Sequence, residues 1–168
     1  MATSRSAVRL LFVLALLLCG RAVRGQQMPN PYGAPISLDN AKKAAAAGLA
    51  EARKNSWTMA VAIVDPNGTL VYYEKTDNTQ IASAQLAINK ARSAAIYKRP
   101  TKAFQDALAK GGDGMRILGL EGAVPVEGGV PIVIEGKIVG AIGMSGATSA
   151  QDAQCAQIGA DAPNSSSK

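Results

Sequence analysis

Thr58-Met-Ala-Val-Ala-Ile-Val64, then Asp65-Pro-Asn-Gly68, then Leu70-Val-Tyr-Tyr-Glu-Lys75, is the stretch on which the fold turns. The first run is apolar at almost every position, which leaves no wet face and predicts a strand covered on both sides. Pro66 presets φ and Asn67-Gly68 supplies positive-φ positions, so the chain turns there. Residues 70–75 therefore return beside 58–64 as the second arm of a hairpin. A hairpin instead of a βαβ crossover makes the sheet mainly antiparallel, with helices packed on it.

Working outward, Ser37 can cap a helix in which Leu38, Ala41, Ala45, Leu49 and Ala52 recur at helical spacing to about Asn55. After the hairpin, Asp77-Asn78-Thr79 offers caps, and Ile81, Ala84, Ile88, Ala91 and Ala95 form a stripe of mostly small residues that invites close packing. That helix must stop near Arg99, because Pro100 disfavours helical geometry in the residue before it. Thr101 can cap a shorter helix that buries Phe104 and Leu108 and ends at Gly111-Gly112. Three strand-like runs follow, Ala123–Val126, Val130–Ile134 and Lys137–Met144, with a tight turn at 135–137. A final helix begins near Ser149, with Asp152 completing a capping-box variant. The expected architecture is one α/β domain of the α+β type over 37–160, with a mainly antiparallel sheet of about five strands.

The N-terminus carries Arg5 and Arg9, an apolar run from Leu10 to Leu18, then small and polar residues to Gly25. This order predicts a signal peptide over 1–25 and an exported chain, periplasmic or extracellular. The run is well short of the ~20 residues that span a bilayer, so no membrane span is expected. Residues 26–36, with Pro29, Pro31 and Pro35, read as a flexible leader, and 161–168 as a disordered tail. Four of the 18 Lys and Arg residues lie in the signal, which leaves 14 against 12 acids. So near-balanced a domain is not expected to bind nucleic acid. Cys155 is the one cysteine beyond the signal, so no internal disulfide is available and the core must suffice.

The chain has no histidine. Ser-His-Asp and Cys-His catalysis, and metal sites built on histidine, are therefore excluded within one subunit. Gly143-Met144-Ser145-Gly146 is no nucleophile elbow, since its second glycine comes one residue early. Gly111-Gly112-Asp113-Gly114 follows a helix and lacks a lysine of the phosphate-loop kind, so it reads as a turn. Two stretches stay open. Glu127-Gly128-Gly129-Val130-Pro131 places glycines where either a ligand or a packed helix approaches the backbone. Gly140 to Ser149 runs into a loop whose Ser145 and Thr148 either cap a helix or, with its free amides, cradle a carboxylate or phosphate.

These blocks together resemble the GlcG/HbpS family, which includes the C-terminal domain of PduO-type proteins. The resemblance rests on Val64-Asp65-x-x-Gly68-x-Leu70, Lys90-Ala91-Arg92 leading to Lys98-Arg99-Pro100-Thr101, Glu127-Gly128-Gly129-Val130-Pro131-Ile132, and Gly136 through Ser145-Gly146-x-Thr148-x-x-Gln151-Asp152. It runs in order from about Ile36 to Ala160. It implies a compact domain that assembles into homo-oligomers, and binding of haem or a related tetrapyrrole, with haem sequestration or degradation as the role. Some members use histidine near the tetrapyrrole. Here the iron ligand would come from Tyr, Met, Cys or Lys, with Tyr97 and Met144 adjoining the shared blocks, or apolar contact alone would hold the group, with Lys98 and Arg99 on the propionates and Thr101, Glu127, Gly128, Gly129, Ser145 and Thr148 around the ligand. The rival readings are a metal-free enzyme acting on a small organic acid or carbonyl compound, held by the Gly128 and Ser145 regions, and an oligomeric scaffold without a small ligand.

Overall fold

The computed structural model describes residues 29–165; the expected signal over 1–25 lies outside them. Four helices and four strands follow in the order α1 (Leu38–Lys54), β1 (Ala60–Val64), β2 (Leu70–Lys75), α2 (Ile81–Ile96), α3 (Lys102–Ala109), β3 (Gly129–Ile134), β4 (Lys137–Ser145) and α4 (Ser149–Asp161). A 3₁₀ helix over Gly112–Gly119 follows α3. The strands form one antiparallel sheet in the order β2-β1-β4-β3.

The decisive hairpin forms as expected. Asp65 ties the turn, its Oδ1 accepting from the amides of Asn67 and Thr69 at 2.8 and 2.9 Å. Gly68 alone of that pair takes positive φ, at +82°. In β1, Val61 and Ile63 face a core shared with α1 and α4, while Ala60, Ala62 and Val64 face α2. Large aliphatic side chains thus fill one side and alanines the other, which draws α2 down onto the sheet. The closest approach is at Gly143, where a Cβ would collide with the Ala87 carbonyl.

Four expectations need correction. Ala123–Val126 is not a strand, so the sheet has four strands. Its backbone is claimed by helix side chains: the Val124 amide donates to Ser93 Oγ and the Glu127 amide to Gln105 Oε1, both at 3.0 Å. The buried residues of α2 are Ser83, Ala87, Lys90, Ala91, Ser93, Ala94 and Ala95, and Ile81 is 93% exposed. The face that holds a polar and a charged partner for the sheet is the one that goes inside. The leader is pinned from Pro31 to Ile36, because β1 ends before it can pair with the start of β4. Ile138 donates to the Pro31 carbonyl at 2.8 Å, and Gly33 and Ile36 donate to the carbonyls of Ile138 and Val139. The tail likewise opens with a 3₁₀ turn over Ala162–Asn164, and Asn164 donates to the Val133 carbonyl at 2.7 Å.

Candidate functional site

The glycine stretch and the serine loop meet inside the molecule at the middle of α2. Lys90 and Asp152 are both buried, and Nζ lies 2.7 Å from Oδ2. The same ammonium donates to the Met144 carbonyl at 3.1 Å, and Asp152 Oδ1 accepts from the Ala147 amide at 3.1 Å. Burial holds the lysine below its usual pKa and the aspartic acid above its own, outweighing in each case the attraction of the partner. The pair clips α2 to α4 across β4. Gly128, at φ +120°, passes so close that a Cβ would lie 2.7 Å from the Met144 carbonyl oxygen and 2.8 Å from Lys90 Nζ. A Cβ on Gly129 would collide with the Lys90 carbonyl. Of the two readings of these glycines, the structure takes the packed helix.

The serine loop resolves the same way. Thr148, and not Ser149, is the cap of α4: its Oγ1 accepts from the Gln151 amide and Gln151 Oε1 accepts from the Thr148 amide at 3.1 Å. The amide of Ala147 is taken by the carboxylate of Asp152. A second anion there would meet a charge of its own sign. Ser145 is buried and donates to Ser83 Oγ at 3.2 Å. Met144 has no exposure, and its sulfur presses on α1 at Gly48. Thr101 does not cap α3 with its side chain; its Oγ1 accepts from the Gly129 amide at 3.0 Å and its amide donates to the Gly129 carbonyl at 3.0 Å.

Three candidates do gather at the surface, where α2 hands over to α3. Tyr97 ends α2 and donates to the Glu121 carbonyl at 2.6 Å, with its ring edge-on to Phe104 at 5.2 Å between centroids. The guanidinium of Arg99 stands 5.6 Å from the Phe104 ring, and Lys98 Nζ lies 4.1 Å from the Tyr32 ring. Lys98 has φ +55°, a left-handed turn imposed as the helix stops ahead of Pro100. Glu127, buried, stands 4.0 Å from Lys102 at Oε2. The segment after α3 adds exposed Met115, Leu118 and Leu120. The structure therefore divides the predicted set. Tyr97, Lys98 and Arg99 share one junction, whereas Thr101, Gly128, Gly129, Met144 and Ser145 build the interior and Thr148 caps α4. Sequence reading missed the Lys90–Asp152 pair, although both residues stand in the shared blocks; a lysine in an alanine-rich helix face was the available signal.

Among the described residues no group of three or more His, Cys, Asp or Glu side chains could hold a metal ion. No described helix is long and apolar enough to cross a membrane.

A four-stranded antiparallel sheet between α2 and the α1/α4 pair, with its glycine strand pinned under α2, defines a single α+β domain. The family model described as "Haem degrading protein HbpS-like" matches residues 36–161, and the chain belongs to this family. It is 38% identical to protein GlcG of Escherichia coli K12 over 110 residues, covering 66% of this chain and 81% of the relative. Its fold matches a double mutant of HbpS from Streptomyces reticuli with a TM-score of 0.70 at 30% identity, covering 83% of this chain and 92% of the other. A PduOC:haem complex matches with a TM-score of 0.69 at 25% identity, covering 76% and 94%.

Proposed function

We propose that the protein is an exported binder of haem or a related tetrapyrrole, serving haem sequestration or degradation. The observation that carries this reading is the α2–α3 junction, where two cations stand over aromatic rings beside exposed apolar side chains. A tetrapyrrole is an apolar plate with carboxylates at its edge, and that surface offers the complement of both. The HbpS-like membership and the haem complex of the PduOC relative support it. Export is supported by the order of charge and hydropathy in residues 1–25.

The donor set fits such a group at one residue and not at another. Met144 is sealed in the core, and Cys155 is buried with its thiol pushed up to about 11, so neither sulfur is a ready iron ligand. Tyr97 sits at the junction, and its phenol would exchange the Glu121 carbonyl for the iron. Arg99 and Lys98 would hold propionates. The bound group would supply iron chemistry, and the chain's part is to orient the plate against the exposed Met115, Leu118 and Leu120 side chains and to neutralise its carboxylates. The small-acid enzyme reading is the less favoured, because the Asp152 carboxylate already takes the Ala147 amide and places a negative charge at the serine loop.

Titration of haemin into the purified protein tests this. A saturable Soret shift is expected, weakened by about tenfold in Arg99→Ala, since a hydrogen bond to a charged group contributes ~1.5 kcal/mol or more, and altered in band position in Tyr97→Phe. No saturable shift in the unmutated protein would end the proposal.

A further inference from the structure

A cleft of about 660 Å³ lies away from both the buried ion pair and the serine loop. Its walls are the β1–β2 turn, the outer side of α2 and the loop over 122–124. Four side chains with polar atoms line it: Arg92, Asn89, Asn67 and Thr69. Ile96 and Val124 add apolar wall, and no acid lines it.

Arg92 is the group to explain. Its Nε donates to the Gly68 carbonyl at 3.0 Å, which fixes the guanidinium at the cleft. Its two terminal nitrogens have no protein partner among the described residues, where the ion pairs join Lys54 to Glu51, Lys90 to Asp152, Lys102 to Asp106 and Glu127, and Arg116 to Asp113. The remaining polar side chains at the cleft can donate hydrogen bonds as well. Asn89 Oδ1 already accepts from Gln85 at 2.9 Å, which leaves its NH₂. Asn67 and Thr69 spend their backbone amides on Asp65 and keep their side chains unbonded. A planar fork held at one edge, with donors around it and carbon opposite, matches a carboxylate carried on a short carbon skeleton. The volume is that of a small-molecule site.

We propose that this cleft binds a small organic carboxylate, with the terminal nitrogens of Arg92 gripping the carboxylate and Ile96 and Val124 contacting its carbon chain. The probe is succinate, with succinamide as its uncharged twin, inorganic phosphate as an anion without carbon, and haemin as a competing source of carboxylate. Binding is read by calorimetry on the mature protein. Saturable binding of succinate but not succinamide is expected, weakened at least tenfold in Arg92→Gln and unchanged in Arg53→Gln, an exposed arginine at the end of α1. Because Arg92→Gln also loses the Gly68 bond, Val124→Glu serves as the second variant. It leaves Arg92 in place, puts an anion in the cleft, and should abolish binding equally. Absence of binding in the unmutated protein, full binding in either variant, phosphate binding as tight as succinate, or one-for-one displacement of succinate by haemin would each overturn the proposal.

Discussion

At the residue scale, Lys90 shows how a buried charge is tolerated without being a source of stability. Removing water from both ions costs more than their mutual attraction returns, which is why each pKa moves toward its neutral form. Breaking the pair is another matter, since it strands one ion. Lys90→Met alone should lower stability by about 3–5 kcal/mol in urea melts, while Lys90→Met with Asp152→Leu should recover most of the loss. Equal losses in the single and double variants would show that the pair contributes more than mutual neutralisation. Cys155 gives a pH test. Burial raises its thiol from an ordinary 9.0 to about 11, so the unfolded chain releases the proton first as pH rises. Within that window the folded state holds more protons, and stability should fall by ~1.4 kcal/mol per pH unit from this group. Cys155→Ala should flatten that alkaline decline in a melting series taken from pH 8 upward.

At the element scale, the seating of α2 on β4 depends on the absence of side-chain bulk. Gly143→Ala pushes a methyl into the Ala87 carbonyl, and backbone cannot swing aside as a side chain can. A loss of about 3 kcal/mol or failure to fold is expected; a melting temperature unchanged from the parent would contradict so close a contact. Much of this was legible beforehand. The continuous apolar run 58–64, the Asp65–Gly68 turn and the Glu135-Gly136 turn each act through neighbours in sequence, and they came out as read. Ala123–Val126 did not, because a strand needs a partner strand, and here the backbone bonds go to Ser93 and Gln105 far away in the chain. The candidate site was legible only in part for the same reason. Glycine before a strand shows that something comes close, while only the fold shows that it is the backbone of α2. The charges of Lys90 and Asp152 were visible, and their 62-residue separation hid the pairing.

At the scale of the whole molecule, several apolar side chains remain uncovered. Met115 and Leu118 are 52% and 63% exposed, Ile81 is almost fully so, and β2 forms an open edge of the sheet. Exposed apolar side chains in such numbers favour contact with a further copy, so light scattering at micromolar concentration should report a multiple of the monomer mass, reduced by Leu118→Glu. A monomer mass for the parent protein would count against self-association. The junction at Tyr97, Lys98 and Arg99 carries the central claim, and hydrogen exchange with and without saturating haemin tests it most directly. The account predicts added protection over 97–104 and 113–121, with the strands around Met144 unchanged; protection absent there, or found only in the cleft at 67–69 and 122–124, would contradict it.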